Sequence, residues 1–217
     1  MINIAIDGPA GAGKSTIAKL IAKEKGYIYL DTGAMYRAIA VWCIKAGVDV
    51  NDENSVAEIL KTVEMDIKYE DGAQHIVVCG VDVTGQLREN HVSKAASDVS
   101  KHPCVRIKMV ELQREFAKSH DVVLDGRDIG TFVLPDTPYK FFLTATPEER
   151  AKRRVLDLKN MGQSAEFDKI LEEIKQRDYN DSHREFAPLK QADDAVLIDS
   201  SNMSIDEVAN FIIERIK

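Results

Sequence analysis

The stretch IDGPAGAGKS, at residues 6–15, places three glycines, a proline and a lysine directly after a short apolar run. Its spacing, Gly8-x4-Gly13-Lys14-Ser15, is that of a phosphate-binding loop. Glycines let successive backbone N–H groups turn toward one anion, and the helix that follows directs its positive end at the same anion. In such loops the lysine neutralises the outer phosphates and the serine hydroxyl is a ligand of Mg²⁺. The stretch predicts a nucleoside triphosphate site, with an ordinary glycine-rich turn as the alternative.

The loop alone does not separate ATPases, GTPases and small-molecule kinases, because all of them hold a triphosphate in this way. It does define the residues expected to contact the triphosphate. They are Gly8, Pro9, Ala10, Gly11, Ala12, Gly13, Lys14, Ser15 and Thr16. Segments rich in arginine and aspartate elsewhere in the chain carry the distinction between these classes.

The first such segment, DTGAMYR at residues 31–37, opens a predicted helix. Thr32 lies at the expected N-cap position, where a hydroxyl accepts a backbone hydrogen bond. Arg37 follows one turn later, close to the positive end of the helix, where a cation gains nothing from the helix dipole. Arg37 is therefore a candidate anion ligand, with a surface arginine of no particular role as the alternative.

The second segment, DGRDIG at residues 125–130, follows a predicted buried strand and places two carboxylates around one arginine. The planar guanidinium of Arg127 suits a phosphate group. Asp125 could orient a hydrated magnesium ion through water, and Asp128 could accept hydrogen bonds from the sugar or base of a nucleotide. A turn held by salt bridges is the alternative.

A third segment holds Arg150, Arg153 and Arg154, which share one face of a predicted helix. Such a charge run is usually a solvated surface. Because this one follows a core strand at the expected ligand edge, we interpret it as a lid that closes over the triphosphate.

Arg177, Asp181 and Arg184 also align on one predicted helical face, at positions i, i+4 and i+7. Arginine before aspartate is the weaker orientation of an ion pair, and aspartate near a helix C-terminus opposes the dipole. Helix stability does not explain the arrangement, so we expect a ligand there.

Alternating strands and helices must position these segments. We predict core strands at 2–7, 27–33, 121–126, 139–145 and 195–200, all apolar and separated by helices. This order predicts an α/β fold with a five-stranded parallel sheet flanked by helices, and such sheets bind ligands at the carboxyl ends of their strands. Brief strands with turn residues between 65 and 87 predict a small antiparallel insertion.

The length of the chain suits one domain spanning 1–217. We predict three parts in it. They are a core at about 1–62, 88–145 and 195–217, a β insertion at about 63–87 and a helical lid at about 146–162.

The net charge of −7 argues against a general affinity for nucleic-acid polymers or anionic membranes, so any bound anion needs a local cluster of cations. The three isolated cysteines suggest neither disulfides nor a zinc site. No apolar run is long enough to span a bilayer, and the first residues lack the features of a signal peptide. We expect a cytoplasmic monomer.

Side by side, several segments closely resemble those of the cytidylate kinase family, within the nucleoside monophosphate kinases. They are IDGPAGAGKST, LDTGAMYR, KAASDVS, DGRDIGT, ERAKRR, EIKQRDYNDSHREFAPL and VLIDSS. The similarity covers nearly the whole chain, including the insertion. It implies a P-loop kinase core and the transfer of a phosphoryl group from ATP to CMP or dCMP, with Mg²⁺ as the cofactor.

The resemblance also implies residue roles. Arg37, Arg127 and Arg184 would bind the CMP phosphate and, with Lys14, carry catalysis. Cytosine has an amine that donates and N3 and O2 atoms that accept, so a carboxylate or hydroxyl and an arginine can read it. Uracil presents N3–H instead and would leave donors unpaired. The expected CMP contacts are Thr32, Arg37, Ser97, Arg106, Arg127, Asp128, Arg177, Asp181 and Arg184.

Three alternatives stay open at this point. A kinase of the same architecture could act on UMP, AMP or shikimate. A nucleotide-dependent switch or ATPase would instead release free phosphate without an acceptor and would carry recognisable switch or guanine-reading segments, which the sequence does not show. A non-catalytic binding module would not need so many arginines at one phosphate-binding edge.

Overall fold

The computed structural model describes residues 1–70, 72–160 and 162–216, and of Asn90 it describes the backbone. The predicted insertion, lid and core therefore include Asp71, Met161 and Lys217, which lie outside the described residues. The chain forms two compact units. The first unit contains Met1–Tyr29 and the chain from Ala117 through the C-terminal helix, and the second contains Leu30–Phe116.

A five-stranded sheet is built mainly from the first unit, and its strand order is β2-β6-β1-β7-β8. The strands are β1 (Asn3–Asp7), β2 (Ile28–Asp31), β6 (Val122–Gly126), β7 (Tyr139–Thr144) and β8 (Val196–Asp199). Parallel pairing joins β1 to β6 and β7, and β7 to β8. Because β1 lies in the middle, the phosphate loop that follows it emerges at the centre of the carboxyl edge, and the predicted α/β fold is confirmed.

The helices of the first unit are α1 (Lys14–Lys25), α6 (Pro147–Asn160), α7 (Phe167–His183) and α8 (Ile205–Ile213). The helices α1 and α8 pack together over a buried cluster that includes Ile4, Phe141 and Ile198. The helices α6 and α7 pack against each other. Among the described residues, no helix is both long enough and apolar enough to cross a bilayer.

The second unit combines helices with a small antiparallel sheet of the strands β3, β4 and β5. Its elements are α2 (Thr32–Lys45), α3 (Glu53–Leu60), β3 (Met65–Glu70), β4 (Ala73–Val78), β5 (Val81–Asp82), α4 (Asn90–Val99) and α5 (Pro103–Ser119), of which α5 runs on into the first unit. The backbone N–H of Asp31 donates to the side chain of Gln74 at 2.8 Å, which ties the strand end to the insertion. The predicted antiparallel strands are confirmed, whereas the division into core, insertion and lid stays a prediction.

The start of α2 differs from the prediction. Asp31, not Thr32, is the N-cap residue, and its carboxylate accepts a hydrogen bond from the N–H of Ala34 at 2.9 Å. Thr32 is the first helical residue and is buried. Aspartate and threonine both cap helices well, and the sequence places them side by side, so the choice depends on where the strand ends.

Two other local features escaped sequence analysis. A short π-helical turn at Ile129–Val133 follows the DGRD segment. The carboxylate of Asp7 accepts hydrogen bonds from the backbone N–H groups of Ile129 and Gly130, at 2.8 and 2.7 Å. Arg184 lies just beyond the end of α7 in an extended conformation, so the helical alignment predicted for it stops one residue short.

Candidate active site

The phosphate loop connects β1 to α1 at the centre of the sheet. Gly8 has a φ of 143°, and a Cβ atom there would overlap the carbonyl oxygen of Leu143 on β7, so only glycine fits. The N-cap of α1 is Gly13, which has no side chain to occupy the first backbone N–H groups, and the first turn contains no acidic residue. These N–H groups are therefore available to an anion.

Lys14 is only 5% exposed, and its Nζ donates to the carbonyl oxygen of Pro9 at 2.8 Å. Burial lowers the pKa of Lys14 to about 7, and the charges of Arg127 and Arg177 lower it further while Asp125 and Asp7 act in the opposite direction. Charges of both signs thus act on Lys14, and a bound polyanion would favour its protonated form.

Ser15 and Asp125 meet beside the loop. The hydroxyl of Ser15 donates to Oδ2 of Asp125 at 2.9 Å, and the hydroxyl of Tyr29 donates to Oδ1 at 2.7 Å. Within the part of the chain that the structure describes, no three His, Cys, Asp or Glu side chains cluster as a metal site. A hydroxyl and a carboxylate nevertheless fit Mg²⁺ in a phosphate site, because the ion keeps most of its ligands as water and phosphate oxygens.

Two of the three arginines predicted for the acceptor phosphate, Arg127 and Arg184, lie in one ion-pair cluster within the first unit. Nε of Arg127 donates to Oδ2 of Asp181 at 2.7 Å. Nη2 of Arg184 donates to Oδ1 of Asp128 at 3.2 Å, and its Nη1 lies 4.0 Å from Oδ1 of Asp181. Residues separated by more than fifty positions in sequence are thus brought together, and their contact with CMP stays a prediction.

The charge of this cluster is balanced within it. Burial alone would raise the pKa of Asp181, but the charge and hydrogen bond of Arg127 and the charges of Arg177 and Arg184 hold it below its usual range. Asp181 therefore carries a full negative charge at neutral pH. Its carboxylate is paired with the guanidinium of Arg127, which could bind an incoming phosphate instead.

Two of the three predicted lid arginines make contacts that the sequence did not reveal. Arg150 is buried and pairs with Asp178 on α7, and it also donates to the carbonyl oxygen of Ala10 at 3.1 Å. Arg153 donates to the carbonyl oxygen of Ser200 at 2.7 Å, while Arg154 is exposed. Contact of these three arginines with ATP stays a prediction.

The remaining candidates lie in the second unit. Arg37 extends back over the start of α2, where its Nη1 lies 3.9 Å from Oδ2 of Asp31 and its side chain is 34% exposed. Thr32 lies one residue from Asp31 at the same helix end. The structure thus brings Thr32 and Arg37 to one end of α2, as predicted.

Arg106 and Ser97 belong to neighbouring helices of the second unit, α5 and α4. Arg106 is 1% exposed and lies over the ring of Tyr36, with its Cζ 5.4 Å from the ring centroid. Its Nη1 donates to the carbonyl oxygen of Ser100 at 3.4 Å, and Ser97 is half-buried. Tyr36 was not predicted, and its position directly before Arg37 was its only signal.

A parallel sheet with a central phosphate loop, a magnesium-compatible hydroxyl–carboxylate pair and a cluster of ion-paired arginines is the arrangement of a P-loop kinase. Comparison with known proteins specifies the family. The cytidylate kinase family model matches residues 4–217. The chain belongs to the cytidylate kinase family.

Individual relatives agree with this assignment. The cytidylate kinase of Caldicellulosiruptor saccharolyticus is 53% identical over 213 residues, which are 98% of this chain and 94% of that protein. The cytidylate kinase of Bacillus subtilis is 46% identical over 216 residues, covering 100% of this chain and 96% of that protein. A crystal structure of an uncharacterized protein from Eubacterium ventriosum has a TM-score of 0.56 at 15% identity, covers 100% of this chain and 98% of that one, and supports the fold alone.

Proposed function

We propose that this protein transfers the γ-phosphoryl group of ATP to CMP or dCMP, giving ADP and CDP or dCDP. Membership of the cytidylate kinase family supports the substrates. The observation that carries the mechanism is the hydrogen bond from Ser15, next to Lys14 on the donor loop, to Asp125 at 2.9 Å, which joins the loop to the segment that contains Arg127. The charge of Arg127 lowers the pKa of Lys14, in agreement with this arrangement. Cations from both segments act on one small region, as transfer between two anions requires.

The reaction needs no nucleophile from the protein. An oxygen of the CMP phosphate attacks the γ-phosphorus in line, and the bond to the β-phosphate oxygen breaks. Lys14 offsets charge on the donor phosphates, whereas Arg127 and Arg184 offset charge on the acceptor. Ser15 and Asp125 would hold Mg²⁺, directly and through water, and the ion neutralises phosphate oxygens when bound.

The residues proposed for CMP recognition form two groups. In the first unit, Asp181 and Arg177 would contact the ribose and Asp128 the base, which requires Asp181 and Asp128 to share or release their arginine partners. In the second unit, Arg37 and Thr32 would contact the phosphate end, and Ser97 and Arg106 the cytosine. A fixed, buried guanidinium suits cytosine N3 and O2, because both are acceptors.

ATP would be held by residues 8–16 and Arg154, and Arg153 would join them in a closed state of the lid. The partners are small nucleotides, and we propose a monomer that acts without nucleic-acid polymer or membrane. The cysteines Cys43, Cys79 and Cys104 are free thiols, which favours a reducing compartment such as the cytoplasm.

An assay of ADP release with separate acceptors tests the proposal. CMP and dCMP should be phosphorylated at least about a hundredfold more efficiently, by kcat/KM, than UMP, AMP or shikimate, because the wrong base leaves buried donors unpaired. Release of free phosphate without any acceptor should be slow. Rapid phosphate release without acceptor, or preference for another acceptor, contradicts the proposal.

A further inference from the structure

The guanidinium of Arg150 joins three segments of the first unit. Its Nε donates to the carbonyl oxygen of Ala145, at the end of β7, at 2.9 Å. Its Nη1 donates to the carbonyl oxygen of Ala10, in the phosphate loop, at 3.1 Å. Nη1 and Nη2 also donate to the two carboxylate oxygens of Asp178 on α7, at 2.9 and 2.5 Å. One side chain thus connects the donor loop to the helix beside the acceptor cluster.

The arrangement is fixed by packing as well as by hydrogen bonds. Arg150 is 2% exposed, and a Cβ atom at Gly11 would lie 3.4 Å from the Cβ of Arg150, so the loop lies directly on this side chain. A bidentate arginine–carboxylate pair restricts the relative orientation of the two side chains as well as the distance between them. Movement of the loop at Ala10 is therefore transmitted to Asp178, and the reverse also holds.

Asp178 lies on α7 close to residues that we propose bind CMP. Arg177 is its neighbour in sequence, and Asp181, one turn later, pairs with Arg127. Under the proposed function, both Arg177 and Asp181 contact CMP. A shift of α7 on CMP binding would consequently reach the phosphate loop through Asp178 and Arg150.

We propose that Arg150 is a positioning residue that couples the ATP-binding loop to the CMP-binding face of α7. This inference rests on the proposed function and extends it, because it assigns Arg150 to communication between the two substrates. Direct contact of Arg150 with triphosphate would require it to leave four hydrogen bonds in a buried place. The exposed Arg154, one turn further along α6, can reach solvent and ligand without such a loss.

Thermodynamic coupling between the two substrates tests the proposal. The dissociation constant of a non-hydrolysable ATP analogue is measured by calorimetry on the full chain, with and without saturating CMP, and the ratio is the coupling factor. We expect the wild type to bind the analogue about fivefold or more tightly with CMP present, within the usual range of coupling between sites. Reciprocity requires the same factor for CMP binding in the presence of the analogue.

Two variants interrupt different parts of the connection. Arg150→Lys keeps the charge and can pair with Asp178, but it cannot reach the carbonyl oxygens of Ala10 and Ala145 together. Asp178→Asn keeps those carbonyl contacts and removes the ion pair. Each should reduce the coupling factor to below about twofold while the affinity for CMP alone changes little.

A matched control lies on the same helix. Lys152 pairs with Glu149 on the surface of α6, and its side chain is 63% exposed. Lys152→Ala should leave the coupling factor unchanged. Thermal unfolding of all variants shows whether they are folded. Of the two variants in the connection, Arg150→Lys, which retains the buried charge pair, is expected to be the more stable.

Several outcomes overturn the coupling role. They are a wild-type factor of one, an unchanged factor in both variants, or the same loss in Lys152→Ala. A lower unfolding temperature with an intact factor would assign Arg150 to stability alone. These failures are distinct from failure of the proposed function, since the latter would appear as a wild type that does not phosphorylate CMP at all.

Discussion

The hydroxyl of Ser15 donates a hydrogen bond to the carboxylate of Asp125, 110 residues away in sequence, at 2.9 Å. The parallel register explains the meeting: Ile6 on β1 pairs with Asp125 on β6, and the loop then returns the start of α1 to the same strand end. A hydroxyl and a carboxylate held together at the end of the loop match the ligands that Mg²⁺ takes in phosphate sites.

Removing the negative charge of Asp125 should weaken the binding of Mg²⁺ at this site. We expect Asp125→Asn to raise the Mg²⁺ concentration for half-maximal rate by about tenfold or more, as loss of groups around a metal commonly does. Titration of the rate with Mg²⁺ at saturating nucleotides measures this. Tyr29→Phe is the matched control, because it removes the hydrogen bond to Oδ1 of Asp125 without changing charge. An unchanged titration in Asp125→Asn would exclude this carboxylate from the metal site.

Lys14→Ala should abolish measurable turnover. The ammonium group opposes charge on the donor phosphates during transfer, and removal of such a group from a buried site costs about a thousandfold or more in kcat. Single-turnover kinetics with saturating ATP and CMP measure the loss. CMP binding should persist in the variant, which confirms that the protein is folded. Turnover within tenfold of the wild type would contradict the role of Lys14.

ATP binding should take up a proton above neutral pH. In the nucleotide-free protein the pKa of Lys14 is lowered to about 7 by burial, so at pH 8 this side chain is mostly neutral. Phosphate oxygens favour the ammonium form and raise its pKa, so binding at pH 8 draws protons from solution, whereas binding at pH 6 draws few. Asp7, whose pKa burial raises to about 6, is already ionised at pH 8 and does not compensate.

Calorimetry in two buffers of different ionisation enthalpy measures the number of protons taken up. Lys14→Met binds without the titrating group and should show no uptake at pH 8. Equal uptake in the wild type and this variant would assign the proton to another group.

Much of the site could be predicted because its residues obey local rules that topology then brings together. Lys14, Arg127 and Asp181 were recognised from loop spacing, glycine neighbours and an unfavourable charge order on a helix. Parallel strands end at one edge, so segments that follow strands must converge there. The hydrogen bond from Ser15 to Asp125 at 2.9 Å agrees with this expectation, whereas the pairing of Arg127 with Asp181, near the end of α7, does not follow from it.

Features that depend on contacts distant in sequence could not be predicted. In the π-helical turn at Ile129–Val133, the first N–H groups donate to the carboxylate of Asp7. Asp7 is more than 120 residues away in sequence, so no local pattern predicts this acceptor. Arg150 looked like Arg154 in sequence, since both lie on one helical face. Contacts with Asp178 on another helix and with the carbonyl oxygens of Ala10 and Ala145 distinguish the buried arginine from the exposed one.

Arg127→Ala should reduce kcat/KM for CMP by about a hundredfold or more, because two anions would then meet with one fewer guanidinium between them. Steady-state kinetics with CMP varied at saturating ATP measure the effect. Arg127→Lys retains charge but not the planar donor geometry, and it should recover only part of the loss. A rate near that of the wild type in purified Arg127→Ala would remove this arginine from the phosphate site.

Asp7→Asn should affect CMP more than ATP, although Asp7 directly precedes the phosphate loop. Its carboxylate accepts from the N–H groups of Ile129 and Gly130, which follow Asp128, and an amide can accept only one of the two bonds. Leaving one buried N–H unsatisfied should lower the free energy of unfolding by about 1–3 kcal/mol. The turn should then hold Arg127 and Asp128 less firmly, so the KM for CMP should rise by about fivefold or more while the KM for ATP changes less.

Asp121→Ala is the control, since Asp121 accepts one backbone N–H, from Ile2, at the opposite end of the sheet. That variant should lose stability and keep both KM values, and an equal rise of both KM values in Asp7→Asn would show that Asp7 supports the loop alone.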